Sequence, residues 1–333
     1  MINNVKVRLN RSELAVPGSR IDLFEKAAKS DADIIFLDLE DSVSINQKSS
    51  ARANVIEAVN DIDWRNKTLS IRVNSYDTEF INDDIEEIMK NTSSRLDLLM
   101  FPKVNSEKEV VKFDELVTSY ENKFKRKKKI GFEIIIETTL GLININQIAL
   151  SSERNESLHF GSADFAASIG AKITNIGGIN KNYGILDDNK KKRTFFINDM
   201  WHFALFKIVL TAHAYGLRAI DCPFGDFSDE IGFNHAASSS YTMGFDGKMV
   251  IHPSQINLSN KIFSPTEKEI LEAKEILAQM KLAEKKGKGA IAFNGKLLDI
   301  VSIKQAQNIV TVSYTHLRAH ETGRNLVCRL LLE

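Results

Sequence analysis

Several side chains with chemical potential stand at the ends of apolar runs. Glu137 closes "GFEIIIE" and Asp164 closes "SLHFGSAD". Two hard carboxylate donors, with waters and substrate oxygens completing an octahedron, suit Mg²⁺, with Mn²⁺ as a substitute. An ion pair with a basic neighbour is the alternative for each acid. Zinc is disfavoured because the chain has no closely spaced Cys/His set. Arg72 ends "LSIRVN", and its planar fork of donors fits a carboxylate or a developing enolate oxygen. It could instead partner an acid of the preceding run, "IIFLDLEDS", which delivers Asp38, Glu40 and Asp41 within four positions. The two roles are compatible, since a catalytic arginine needs an orienting acid. Each of the three acids could equally cap the next helix. Arg20 and Lys26, in "VPGSR" and "FEKAAK", could hold phosphates near a helix start, or could belong to a solvated face. His252, in "GKMVIHP", reads as a hydrogen-bonded structural histidine rather than a metal ligand.

Positioning these groups requires a frame. Eight short apolar runs recur at 14–18, 33–41, 69–74, 96–104, 130–137, 157–164, 217–225 and 247–253. Runs apolar on both faces read as strands of a parallel sheet covered by helices. Helical patterns lie between them, in "SRIDLFEKAAKS", "FINDDIEEIMKN", "SEKEVVKFDELVTSYENKF", "TTLGLININQIALSS" and "WHFALFKIVLTAHAYG". Eight alternations predict a (β/α)₈ TIM barrel over residues 1–260, with an open doubly wound sheet as the alternative. The C-terminal strand ends of such a barrel surround its active site. Residues 261–310 are expected to form a C-terminal helix, "PTEKEILEAKEILAQMKLAEKK", then a glycine-rich hinge and a helical lid. The loop 173–184, "ITNIGGINKNYG", is expected to act as a lid or pocket wall, and its glycine spacing is not a dinucleotide fingerprint.

Bulk properties exclude other classes. The chain has 333 residues, 43% of them hydrophobic, with 44 basic and 44 acidic side chains. Balanced charge gives no general attraction to nucleic acid or an anionic membrane. The basic runs "KFKRKKK" and "KKKR" are flanked by acids and lack aromatic interleaving, so they read as solvated surface. No apolar run reaches the 18 or so residues of a membrane span. Two cysteines, Cys222 and Cys328, give no disulfide framework, and a cytoplasmic location is expected.

"RSELAVPGSRIDLFEKAAKSDADIIFLDLEDSVSINQKSSAR", "IIIETTLGL", "HFGSADFAASIG", "PFGDFSDEIGF" and "GKMVIHPSQI" together resemble the citrate lyase β-subunit-like family of acyl-CoA lyases. The resemblance covers about residues 8–310. It implies a TIM barrel that cleaves a β-hydroxyacyl-CoA, such as malyl-CoA or β-methylmalyl-CoA, to a shorter acyl-CoA and glyoxylate. It further implies Mg²⁺ on Glu137 and Asp164, and Arg72 on the oxo acid or enolate oxygen. Arg20 and Lys26 would meet the coenzyme A phosphates, with Ala163, Ile251 and His252 also lining the coenzyme site. Asp299, in "GKLLDI", would be the acid on a lid that reaches a neighbouring subunit's site, which makes a homo-oligomer (trimer or hexamer) the expected assembly. Ala15, Val16 and Cys222 depart from the family pattern near the acyl pocket. A malyl-CoA thioesterase, a citramalyl-CoA lyase and a non-catalytic CoA-binding barrel remain as alternatives. Residues 311–333, "TVSYTHLRAHETGRNLVCRLLLE", have no family counterpart and read as a non-native tail.

Overall fold

The computed structural model describes residues 8–187, 193–285 and 287–320. Within them the chain forms two compact units, Asn10–Phe263 and, with Arg8 and Leu9, Ser264–His320. Residues 190–192 of the basic run "KKKR" and residues 321–333, with Cys328, lie outside the described residues.

The first unit is a closed parallel barrel. Its strands are β1 (Ser12–Pro17), β2 (Ile34–Asp38), β3 (Thr68–Arg72), β4 (Leu98–Phe101), β5 (Gly131–Ile136) and β6 (Asn155–Phe160). A hairpin, β7 (Gly184–Asp187) with β8 (Thr194–Ile197), precedes the last two barrel strands, β9 (Arg218–Asp221) and β10 (Gly247–Val250). The strands close in the order β1-β10-β9-β6-β5-β4-β3-β2. The sheet is therefore a barrel and not an open doubly wound sheet. Around it run α1 (Ile21–Lys29), α2 (Lys48–Asp61), α3 (Ile81–Asn91), α4 (Glu107–Lys123), α5 (Thr139–Ile143), α6 (Ile145–Leu150), α7 (Ser162–Ser168), α8 (His202–Ala214), α9 (Glu230–Met243) and α10 (Ser254–Ile262). Outward strand residues such as Leu37, Ile71, Phe101, Ile134 and Phe160 pack with the helices in the main core.

Side chains alternate along a strand, so inward residues recur every second position. Around β5 this gives Glu133, Ile135 and Glu137. Ile135 joins Phe36, Met100, Ile220 and Met249 in a separate apolar cluster inside the barrel, with Ala15 packed against it. Two positions before Ala15 and Ile135 stand Glu13 and Glu133, both wholly buried at the floor. Two positions after Phe36 and Ile135 stand Asp38 and Glu137, at the C-terminal mouth.

One barrel segment differs from the sequence reading. The helix expected over "TTLGLININQIALSS" breaks at Asn144, which separates α5 from α6. Thr138 caps α5, accepting the Gly141 N–H at 2.9 Å, and the Asn144 side chain donates to the Asn105 carbonyl at 2.8 Å. Polar side chains thus compete with the helix ladder. The loop 173–184 carries Gly177 and Gly178 at φ 67° and 71°. A Cβ on Gly177 would lie 2.4 Å from the Pro223 carbonyl oxygen, so this loop packs tightly against the segment that follows β9.

In the second unit α11 (Glu267–Lys285) packs with α12 (Ile300–His320). A capping box opens α11: Thr266 N–H donates to Glu269 at 2.7 Å, and Glu269 N–H to the Thr266 hydroxyl at 3.2 Å. The segment read as a hinge contains an antiparallel hairpin, β11 (Ile291–Phe293) with β12 (Lys296–Leu298). Its Asn294-Gly295 turn takes positive φ at both residues, the geometry that suits a two-residue hairpin. Nor does the final helix stop at Val310: "IVSIKQAQNIVTVSYTHLRAH" contains no Gly or Pro to break it, and α12 continues to His320.

Candidate active site at the barrel mouth

Asp38 is the anchor of the mouth. Its carboxylate takes the Arg72 fork bidentately, Nε at 2.6 Å and Nη2 at 2.7 Å, and also accepts the backbone N–H of Glu40 and Ser42 and the Ser42 hydroxyl. Burial opposes its ionisation, but the Arg72 charge and hydrogen bonds win and hold its pKa down to about 2. The opening turn after "IIFLD" is therefore built on one permanently ionised acid. Both roles considered for Asp38 coincide, since it braces the arginine and caps its own loop.

Arg72 reaches further, its Nη1 lying 3.1 Å from Glu40 Oε2. Lys103 closes the ring. Its ammonium lies 2.5 Å from Glu40, 3.0 Å from Asp41 and 3.5 Å from Asp164. Its backbone N–H donates to Glu137 Oε1 at 2.7 Å, from a left-handed φ of 52°. Such a conformation costs a non-glycine residue about 1 kcal/mol or more and persists when its surroundings impose it. Here it turns the amide toward Glu137 while the side chain reaches the acids.

Glu137 is buried and Asp164 half-buried. Burial, then the charges of Glu40 and Asp164, push the Glu137 carboxyl up to about 8 against the pull of Arg72. Glu40 is also raised, chiefly by burial. The mouth thus gathers more negative charge than Arg72 and Lys103 relieve. Gly161 makes room for it: a Cβ there would lie 2.1 Å from Glu137 Oε2. An all-oxygen donor set with surplus negative charge fits a hard divalent cation, so Glu137 and Asp164 suit Mg²⁺. Lys103 is marked in the sequence by its place at the end of the fourth apolar run, whereas nothing there marks Gly161.

The remaining expected residues are more dispersed. Arg20 and Lys26 lie at the exposed start and end of α1, and Asp22 takes the Arg20 fork at 2.8 and 2.9 Å. Lys26 Nζ is 4.0 Å from the same carboxylate. Ala163 is exposed on α7, beside Asp164. Ile251 is 38% exposed after β10. His252 stacks on Phe227 at 4.5 Å, and its Nδ1 lies 2.9 Å from the Ser254 hydroxyl. Asp299 belongs to the second unit, where its Oδ1 caps α12 by accepting Val301 N–H at 2.9 Å and Ser302 N–H at 3.2 Å. Asp221, also at a strand end, is committed elsewhere, to a buried 2.6 Å ion pair with Lys248.

A closed parallel barrel with a braced arginine and a carboxylate pair at its C-terminal mouth has the makings of a metal-assisted TIM-barrel enzyme. The chain belongs to the HpcH/HpaI aldolase/citrate lyase family, whose model matches residues 11–253. It is 46% identical over 303 residues to the L-malyl-CoA/β-methylmalyl-CoA lyase of Cereibacter sphaeroides, covering 91% of this chain and 94% of that protein. The malyl-CoA/β-methylmalyl-CoA/citramalyl-CoA lyase of Chloroflexus aurantiacus is 34% identical over 284 residues, 84% of this chain and 80% of that one. Among solved structures, the Mycobacterium tuberculosis protein CitE in complex with magnesium, acetoacetate and coenzyme A superposes with a TM-score of 0.72 at 24% identity. That match covers 92% of this chain and 99% of that chain, and it is a likeness of fold.

Proposed function

We propose that this chain is a Mg²⁺-dependent carbon–carbon lyase. It reversibly cleaves L-malyl-CoA, and β-methylmalyl-CoA, to acetyl-CoA or propionyl-CoA and glyoxylate. The observation that carries the reading is the acidic pair Glu137 and Asp164 beside a braced Arg72, in a chain 46% identical to a lyase of that name. In the cleavage direction the β-hydroxyl loses its proton and the Cα–Cβ bond breaks. Its electron pair moves into the thioester as an enolate, and the α-carbon is then protonated to give the shorter acyl-CoA.

Glu137 and Asp164 would hold the cation, which when bound supplies Lewis-acid polarisation of the oxo acid's oxygens. Arg72, kept charged and oriented by Asp38, balances the negative charge that develops on the substrate oxygen. Lys103 neutralises Glu40 and Asp41 and fixes the Glu137 rotamer through its backbone amide. We assign proton transfer at the α-carbon to Asp299. The coenzyme would lie along Arg20, Lys26, Ala163, Ile251 and His252. That path follows the family resemblance and the exposure of these residues, and loading it requires the Arg20 fork to leave Asp22.

We propose a homo-oligomer in the cytoplasm as the working form. Support comes from α5, α6 and α8, which lie against one another and leave Leu140, Ile143, Leu150, Phe203, Phe206 and Leu210 each more than half exposed. An apolar face of that kind marks an interaction surface. Among the described residues no helix is long and apolar enough to cross a membrane.

Incubation with Mg²⁺, acetyl-CoA and glyoxylate, followed by mass analysis of the CoA species, tests the activity. Malyl-CoA is the expected product. Free CoA alone would identify a hydrolase, and unchanged acetyl-CoA would identify a binding protein; either outcome overturns the lyase reading.

A further inference from the structure

Beneath the apolar layer of the barrel, Glu13 of β1, Glu133 of β5 and His159 of β6 meet with no solvent exposure at all. Their ligand atoms, one from each residue, lie within 4.8 Å of one another. Glu133 and His159 are each oriented from one side and bare on the other. Ser70 donates its hydroxyl to Glu133 Oε2 at 2.7 Å, leaving Oε1 without a partner. Ser157 Oγ lies 2.9 Å from His159 Nε2, and Nδ1 has no partner. Glu13 has none on either oxygen. The bare His159 Nδ1 lies 3.7 Å from Glu13 Oε2, and Glu133 Oε1 lies 3.7 Å from the other ring nitrogen, Nε2.

Buried carboxylate oxygens and imidazole nitrogens without a partner lose the hydrogen bonds that water gave them, which is costly in free energy. The nearby cation acts on both acids through its charge but does not satisfy them: Arg218 directs Nη2 to Glu156 at 3.1 Å, and its buried Nε and Nη1 make no hydrogen bond to either member of the pair. A proton shared by the two acids would satisfy one oxygen on each and still leave His159 Nδ1 and the second Glu13 oxygen empty. One divalent cation satisfies all three side chains and balances two carboxylates. An imidazole fixed through its other nitrogen by a hydroxyl, and a carboxylate fixed the same way, match the outer-shell support usual around bound metals.

We infer that the barrel floor is a second metal site, separate from the mouth, which holds one divalent first-row transition cation between Glu13, Glu133 and His159. A nitrogen donor with two carboxylates favours zinc, manganese or iron over magnesium. Donor separations around such a cation are about 3 to 4 Å for metal–ligand bonds of about 2.1 Å, so the cluster need tighten only slightly. Burial keeps His159 neutral, the form a ligand requires. The inference does not depend on the lyase reading, because the floor faces away from the mouth across the apolar layer.

The test is elemental analysis of the full chain, purified from cells supplied with zinc, manganese and iron, after EDTA dialysis and return to Mg²⁺. About one equivalent of transition metal per chain is expected to survive. Glu13→Gln and His159→Gln should each fall below a tenth of an equivalent while retaining their Mg²⁺ response at the mouth. In parallel, wild-type chain refolded with Co²⁺ should show ligand-field absorption bands after EDTA, which keeps the test open should the variants fail to fold. Less than a tenth of an equivalent in wild type, both as purified and after refolding with metal, overturns the proposal in favour of a shared proton. So does full loading of Glu13→Gln.

Discussion

The two ends of this barrel use the same side chains in opposite ways. At the mouth, five acids share Arg72 and Lys103, and most carboxylate oxygens have an N–H or a cation beside them. At the floor, two acids and a histidine leave four polar atoms bare. The mouth spends its cations on orientation, so that one acid, Asp38, stays ionised while Glu137 is driven toward protonation. The difference teaches that charge at a strand end is organised for exchange with solvent and substrate, whereas charge beneath an apolar layer must be neutralised by something that arrives with folding.

The largest effect should separate the two ends. Glu137→Gln or Asp164→Asn is expected to lower kcat/KM by at least about a thousandfold, the several kcal/mol a catalytic metal supplies, with circular dichroism unchanged. Glu13→Gln at the floor should change kcat by no more than about threefold. Equal losses at both ends would erase the distinction.

Next in size is Arg72→Lys. An ammonium cannot reproduce the bidentate hold on Asp38. A loss of about 10²- to 10³-fold in kcat is expected, on the scale of a removed oxyanion donor, and steady-state kinetics with malyl-CoA would read it.

Asp299→Asn should bind CoA esters nearly as well as wild type and turn over about a hundredfold more slowly, the usual scale of a lost general acid–base. Mixing Asp299→Asn with Glu137→Gln chains should raise activity above that of either variant alone where subunits exchange. No recovery in verified mixed oligomers would confine the second unit to its own chain.

A smaller effect follows from Glu137. Its folded pKa of about 8 lies above the ordinary value of 4.5. The folded state therefore holds its proton longer than the unfolded state, and without metal its stability falls as pH rises from about 4.5 to about 8. Thermal melts in EDTA should show Tm decreasing over that window by several degrees. Glu137→Gln should flatten the slope, and Mg²⁺ should raise Tm more at pH 8 than at pH 6. A Tm independent of pH in EDTA would contradict the charge surplus. Smallest of all, ending the chain after Val310 should leave activity intact and lower Tm by no more than about a degree, since among residues 311–313 only Ser313 is buried.

Much of the mouth is legible in the sequence because an apolar run that ends in charge carries its own signal. Asp38, Arg72, Glu137 and Asp164 all stand out that way. Lys103 does too, but its left-handed amide carries no such signal, and Gly161 acts through the absence of a Cβ. The floor is harder still. Glu13 and His159 sit inside "SELAVP" and "NESLHF", where apolar neighbours on the outward face mask inward polar residues. The break at Asn144 depends on Asn105, distant in sequence, and the hairpin at 291–298 on a short polar turn, neither of which periodicity registers. The barrel itself was readable from eight alternations; which strand neighbours which was supplied by closure.

The layer of Phe36, Met100, Ile135, Ile220 and Met249 also sets time. It sets a band of buried apolar side chains between the two ends. The mouth can exchange its contents as fast as solvent reaches it. The floor can change occupant only when the strands part, at a rate bounded by the opening of the barrel itself. Whatever the chain encloses there as it folds remains for the lifetime of the native state, a record of the conditions at its birth.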